Sequence, residues 1–360
     1  VNGMMKNSLK PLYGFLWIVG FSLALVACHP NAPKMPAIGA GTGSISCAAV
    51  ERLQHEAKLL APEMTSELGR RFLAASASLT APAPRVLYSN TKTQRFFSED
   101  AAARLPEAER RSLVKASYSE MAEFYYFTYH GSPLAYARAI DLLGAAGVEP
   151  SKGQSLADFG FGNIGQLRLL ASLGFKTIGI DVAPFLGELY SYPGDQGPYG
   201  PGRVNIVIGE FPEDTATVEA LSGKLDVFLS KNTLKRGYIH PYRTPAKPEW
   251  VIHLGVTDEV FLNAIYKALK PGGKFMIYNI CPALTPPDKP FVTWSDGRSP
   301  FSREQFAKAG FSVIAFDKDD TDFVRRMGRL LGWDSGPDAM DLDNDLSVLY
   351  TLVQKNTGTR

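Results

Sequence analysis

The stretch Asp158-Phe159-Gly160-Phe161-Gly162-Asn163-Ile164-Gly165 decides how this chain is read. It follows the short apolar run Leu156-Ala157 and precedes residues 166–173, whose spacing predicts a helix ended by Gly174. Glycines at a strand-to-helix turn let the backbone approach a ligand closely, and helix N–H groups point into the gap. The pattern G-x-G-x-x-G is permissive by itself and also fits nicotinamide dinucleotides. Two acids narrow it. Asp158 stands two residues before the first glycine, where dehydrogenases usually carry an apolar strand residue. Asp181 ends the next apolar run, residues 177–181, at about the distance expected of an acid that binds ribose hydroxyls.

Outward from this stretch the rhythm is strand, helix, strand. Residues 204–209, 225–229 and 274–280 read as three further strands, and residues 258–269 as a helix with Val260, Ala264, Ile265 and Leu269 inward. Ser302 with Gln305 three residues on is a capping box that opens another helix. Residues 311–316 and 346–353 read as two last strands around a long excursion. This alternation predicts an α/β fold, a doubly wound, mainly parallel sheet of seven strands with helices on both faces.

Asp158, the glycines, Asp181, the turn Leu269-Lys270-Pro271-Gly272-Gly273 and the closing pair of strands together resemble the class I S-adenosylmethionine (SAM)-dependent methyltransferases over residues 135–353. The resemblance implies SAM as cofactor and an unidentified methyl acceptor as partner. It implies that Asp158, Gly160, Gly162 and Gly165 belong to the loop around the methionine part, and that Asp181 takes both ribose hydroxyls. Glu210 and Phe211 would flank the adenine, and Asn232 would face the methyl group or substrate. Many family members place a third glycine where Ile164 stands, whereas this chain has Gly165, so the loop is expected to differ locally. A Rossmann-like domain that binds another nucleotide, or nothing, is the alternative.

Methyl transfer from a sulfonium needs alignment of nucleophile, methyl and sulfur, and removal of the nucleophile's proton where it has one. Residues 230–240, SKNTLKRGYIH, gather Lys231, Asn232, Lys235, Arg236, Tyr238 and His240 beyond a strand's C-terminal end, where open α/β sheets bind ligands. Asn232 and His240 are the catalytic candidates, His240 as base. The competing reading is a solvated surface loop with a turn histidine. The family's Asn/Asp-Pro-Pro-aromatic motif for amino-group methylation is absent, which argues against a nucleic-acid base as acceptor. Tyr125, Tyr126, Tyr129 and His130 read as packing where the helical segment meets the sheet, or as a lid. The acidic residues 338–345 fail the calcium-loop pattern, since Leu346 stands where glycine is needed and Leu352 where a bidentate glutamate is needed. They read as a solvated loop.

Among 360 residues, 38 basic and 36 acidic side chains leave a formal charge of +2, which argues against a dedicated nucleic-acid surface. Three cysteines, Cys28, Cys47 and Cys281, form no CxxC pair, so neither a structural zinc nor any other metal is expected. In an oxidising space Cys47 and Cys281 could pair, but nothing in the sequence places them within bonding distance.

Near the start, Lys6 and Lys10 precede an apolar run over residues 12–26 that is short for a bilayer span and contains Gly14 and Gly20. Leu25-Val26-Ala27-Cys28 then resembles a bacterial lipobox, which implies lipidation of the Cys28 thiol and a membrane anchor. The expected organisation is a lipoprotein signal peptide over 1–28, a flexible tether over 29–44, a helical N-terminal segment over 45–134 and the SAM-binding domain over 135–360. Within the helical segment, residues 80–97 read as irregular and 101–127 as a helix. His29, rather than aspartate, after Cys28 implies outer-membrane placement on the periplasmic face, in a host with two membranes. SAM is not expected in quantity there. A non-catalytic ligand-binding or scaffold lipoprotein of the cell envelope, or a cytoplasmic enzyme with a different start site, are therefore the alternatives.

Overall fold

In the computed structural model, residues 45–80, 85–117, 132–149, 153–336 and 339–357 are described. Cys28, the tether, and Tyr125, Tyr126, Tyr129 and His130 lie outside them, as does the Cys47 side chain.

One sheet organises the molecule. Its core strands are β4 (Ser155–Phe159), β5 (Lys176–Asp181), β7 (Gly202–Ile208), β8 (Leu225–Lys231) and β9 (Leu269–Cys281), all parallel. β11 (Ser347–Lys355) runs antiparallel between β9 and β10 (Phe311–Asp319). These are the seven expected strands. An eighth, β6 (Gly197–Tyr199), adds antiparallel to the β7 edge, giving the order β10-β11-β9-β8-β4-β5-β7-β6. The sequence reading omitted β6 because a three-residue strand centred on Pro198 carries no alternation to detect. The turn over residues 269–273 is drawn into β9: Leu269 pairs with Leu225, the register then shifts, and regular pairing resumes at Lys274, where the strand was expected to start.

Both sheet faces are covered, as a parallel sheet requires. In β8, Val227 and Leu229 enter one apolar cluster and Phe228 the other. The first face is covered by α5 (Ala137–Ala145), α6 (Gly165–Ser172), α7 (Pro184–Leu189) and α12 (Thr321–Leu330), the last lying in the excursion between β10 and β11. The second carries α8 (Thr215–Leu221), α10 (Asp258–Ala268) and α11 (Arg303–Ala309). The Thr257 hydroxyl caps α10, and the expected Ser302–Gln305 capping box opens α11.

The N-terminal segment departs from a purely helical reading. Helices α1 (Ile45–Leu60) and α2 (Glu67–Ala74) pack into the first apolar cluster. Residues 85–117, by contrast, form a three-stranded antiparallel sheet of β1 (Val86–Asn90), β2 (Arg95–Ser98) and β3 (Val114–Ser117), order β2-β1-β3. The helix expected over 101–127 is only α3 (Glu99–Ala103) and α4 (Glu107–Arg110), followed by β3. Asn90 Oδ1 accepts from Lys92 N and Thr93 N, and Gln94 takes φ 54°, which turns the β1–β2 hairpin.

Buried forks of charge fasten this segment to the sheet. Arg85 binds both carboxylate oxygens of Asp195, which Arg168 of α6 also reaches at 3.0 Å. Arg138 of α5 grips Asp320 bidentately and donates to Asp141 at 2.8 Å, and Asp141 also takes the backbone N–H and hydroxyl groups of Thr65 and Ser66. Removing Asp195 would leave two buried guanidinium groups without their carboxylate. Asp195→Ala should therefore destabilise the protein by about 3–5 kcal/mol, read as a lower urea midpoint at unchanged slope. A change below about 1 kcal/mol would show that this fork does not hold the segment in place.

Candidate functional site

The crossovers place the candidate site. From β4 the chain moves through α6 to β5 on one side, and later returns through α8 to β8 on the other. The crevice beyond the C-terminal end of β4 is thus the topological switch point, where such sheets bind ligands.

The loop there is held by its own backbone and two polar side chains. Gly160 N and Phe161 N both donate to Ile180 O of β5. Gly160 and Gly162 take φ 75° and 60°, and a Cβ on Gly160 would lie 2.0 Å from Thr233 Oγ1. The fully buried Gln166 of α6 donates from Nε2 to Asp158 Oδ2 at 2.9 Å and to Phe161 O at 2.8 Å. Asp181, at the end of β5, accepts from Ala183 N at 3.1 Å and, more loosely, from Gly162 N at 3.4 Å. Asp158 Oδ1 and Gln166 Oε1 are buried without hydrogen-bond partners. The Tyr136 hydroxyl faces the same Asp158 carboxylate without closing a bond on Oδ1 within ordinary geometry.

Burial dominates the electrostatics. It pushes the Asp158 carboxyl up to about 6, against the hydrogen bond from Gln166, the nearby Tyr136 hydroxyl and attraction to Lys231. It pushes Asp181 up to about 6 as well, against the N–H groups of Ala183, Gly162 and Val182. Lys231, the last residue of β8, is drawn down to about 8, first by burial and then by repulsion from Lys235. Its Nζ stands 4.9 Å from the centroid of the Tyr136 ring. Cys281, ending β9, is buried with its thiol raised by desolvation.

The expected site residues are distributed as follows. Asp158, Gly160, Gly162 and Asp181 come together at the crevice. Asn232 follows directly on β8 in a left-handed conformation, φ 63°, its Oδ1 accepting from Ile280 N at 2.7 Å. Gly165 opens α6 and packs against the N-terminal segment: a Cβ there would lie 2.3 Å from Pro133 Cγ. Glu210 is half-buried just past β7. Phe211 is buried among Phe159, Phe228 and Phe261, with ring centroids 5.7–6.3 Å away. His240 is exposed, its Nε2 2.9 Å from Asp258 Oδ1 at the start of α10, and Asp258 is also held by Gln305. The sequence reading did not single out Gln166 and Tyr136. Gln166 was legible as a polar residue in the first turn after the glycines. Tyr136 carried no signal, because it reaches the crevice only through the packing of its segment.

Among the described residues no His/Cys/Asp/Glu group of three or more is placed to hold a metal ion, and no helix is long and apolar enough to cross a membrane. In the acidic loop, Asp341 bonds Asn344, Asp343 pairs with Arg329 and Asp345 accepts from Ala283 N.

No protein-family model and no curated protein sequence matches the chain. Similar solved structures include phosphoethanolamine N-methyltransferase 2 of Haemonchus contortus in complex with S-adenosyl-L-methionine, at 14% identity and TM-score 0.39 over 79% of this chain and 74% of that one. A SAM-dependent methyltransferase from Mesorhizobium loti is 14% identical with TM-score 0.36 over 61% and 98%. The [4+2]-cyclase SpnF is 15% identical with TM-score 0.35 over 62% and 83%. At these identities and scores the likeness bears no argument about ligand or reaction.

The desolvated carboxyl of Asp158 gives a signed expectation. Its value is raised from the ordinary carboxylate range to about 6, so the folded state holds this proton more tightly than the unfolded chain. Stability attributable to the group falls as pH rises between those values, and the whole penalty is present above about 6. Asp158→Asn, which carries no such penalty, should be more stable than wild type at pH 7.5 by about 3 kcal/mol. Urea unfolding should show the gain shrinking toward zero near pH 4. A gain independent of pH would mean that the Asp158 charge is not desolvated.

Proposed function

We propose that this protein binds S-adenosylmethionine in the crevice beyond β4 and β5 and transfers its methyl group to an acceptor. One observation carries the reading: Asp158 and Asp181, on adjacent parallel strands, flank a left-handed glycine turn at the switch point. The residues present suit that ligand. Asp158 Oδ1 and Gln166 Oε1 are buried acceptors without partners, which a protonated amine would satisfy. Asp181 accepts two backbone bonds and retains acceptor capacity for hydroxyls.

When bound, SAM supplies an electrophilic methyl group on a sulfonium. The chain's own work is then positional. Gly160 and Gly162 bring main-chain atoms close to the ligand, while Gln166 holds loop and carboxylate in register. Asn232, with Oδ1 committed to Ile280 N, keeps its Nδ2 donors for the acceptor. His240, oriented by Asp258, is the base where the acceptor carries a proton to be removed.

Calorimetry tests the ligand. Asp181→Ala should weaken SAM binding by about 2–4 kcal/mol, since two hydrogen bonds to a charged acceptor are lost. Unchanged affinity would remove Asp181 from the site, and tight NAD binding without SAM binding would replace the reading with a dehydrogenase one.

The second part of the proposal concerns place. Cys28 is lipidated, and residues 29–44 tether the domain to a membrane of the cell envelope, the periplasmic face of the outer membrane where the host has two. A flexible chain of that length spans roughly 20–25 Å, from about 5–6 Å × √n. Stable attachment takes more than one acyl chain. Metabolic labelling with a fatty-acid analogue should mark the wild type and not Cys28→Ala, and fractionation should find only the wild type in membranes. An unlabelled wild type recovered whole from the cytosol would make this a cytoplasmic methyltransferase.

A further inference from the structure

Two lysines meet at the same sheet edge. Lys231 ends β8, and Lys235 precedes the short helix α9 (Arg236–Ile239). They are 6% and 4% exposed. Among the described residues neither makes an ion pair. Lys231 Nζ makes no hydrogen bond there and rests on the Tyr136 ring. Lys235 Nζ donates to Ile280 O at 3.1 Å, lies over Tyr238 and faces the Cys281 thiol. An ammonium offers three donors, and buried charges are ordinarily paired. Here two like charges share one desolvated place, where their repulsion is stronger than in water.

Nearby carboxylates do not resolve this. Asp296 is buried beside Cys281, but Arg298 grips both its oxygens at 2.7 Å and Arg236 approaches to 4.0 Å. Asp158 attracts Lys231 from the neighbouring strand without reaching ion-pair distance. What would neutralise the lysines is an anion from outside the chain.

We propose that Lys231 and Lys235 form the binding site for a compact anionic group, a carboxylate or a phosphate, carried by the methyl acceptor. That the ligand is the acceptor rests on the SAM reading above; that the site takes an anion does not. The strand order supplies the division. Asp181 on β5 and Asp158 on β4 form an acidic half that suits the hydroxyls and amine of the cofactor. Lys231 on β8, and Lys235 against the end of β9, form a basic half one and two strands further along. Asn232 Nδ2 stands between the two lysines in sequence and adds donors of the right kind.

The test titrates the intact protein with sodium phosphate and with sodium acetate, with and without SAM, by calorimetry. At least one anion should bind at a single site, and Lys231→Met and Lys235→Met should each weaken that binding by about tenfold or more. Methionine keeps the unbranched apolar stem of lysine and removes the ammonium. SAM affinity should change much less than anion affinity in both variants, since the cofactor's amine and hydroxyls are given to Asp158 and Asp181. A second measurement needs no variant: raising the pH through about 8, where Lys231 gives up its proton, should weaken anion binding to the wild type. The preferred anion tells carboxylate from phosphate acceptors. Failure of both anions to bind, or binding that does not weaken as the pH rises, would overturn the proposal. So would a Lys231→Met variant that loses SAM as strongly as the anion, because the lysines would then serve the cofactor's own carboxylate. Anion binding without SAM binding would sustain the anion site and remove the methyl-transfer reading instead.

Discussion

No side-chain carbon can stand between Gly160 and Thr233, and the crevice depends on that contact. A Cβ at Gly160 would sit 2.0 Å from Thr233 Oγ1, so the loop after β4 lies directly on the segment after β8. This seating brings the acids of one strand pair and the lysines of the next to a common edge. The loop keeps its shape through bonds to its own neighbours: Gly160 N and Phe161 N to Ile180 O, Gln166 to Asp158 and Phe161 O.

The N-terminal segment is part of the same construction. Pro133 occupies the space that a side chain at residue 165 would fill, and Tyr136 projects to Asp158, Gln166 and Lys231. Asp141 of α5 takes Thr65 and Ser66 of the segment, and Arg138 ties Asp141 to Asp320, which also takes the Tyr278 hydroxyl of β9. Burial of Asp158 and Lys231 therefore depends partly on elements outside the sheet's own crossovers. Loosening the fork should be felt at the carboxyl and the ammonium together, since desolvation is the largest influence on each.

The sheet was legible because each core strand carries a short apolar run, the first three are closed by glycine or an acid, and both faces are buried, so periodicity and punctuation largely agree. The acids of the site were legible for the same reason, since a carboxylate at the end of an apolar run is conspicuous. Where reading failed, the signal was local and weak. Pro82 and Pro84 drew attention from the pair Val86-Leu87-Tyr88 and Arg95-Phe96-Phe97, whose Asn90 turn is an ordinary hairpin device. The alanine-rich residues after 101 have high helix propensity, yet their helices are short and tertiary pairing takes Val114–Ser117 into a strand. Lys231 and Lys235 were visible as residues, but nothing in a polar run shows which of its charges are buried. That depends on where Tyr136 and β9 lie, which is non-local.

The molecule supplies its own contrast for interpreting those charges. Where it uses buried charge for construction, it closes the pair: Arg85 on Asp195 and Arg138 on Asp320 are bidentate, and Arg298 spans both oxygens of Asp296. Such forks satisfy donors and acceptors together and recover part of the desolvation cost. At the crevice the pattern differs. Asp158 and Lys231 stand on adjacent strands, each strongly desolvated and each drawn to the other, yet they form no ion pair, and Asp158 Oδ1 has no partner. A pair selected for stability alone would gain by closing that gap, as the three forks do. Groups kept buried, charged and apart retain bonding capacity, which is what the proposed binding of cofactor and anion calls on.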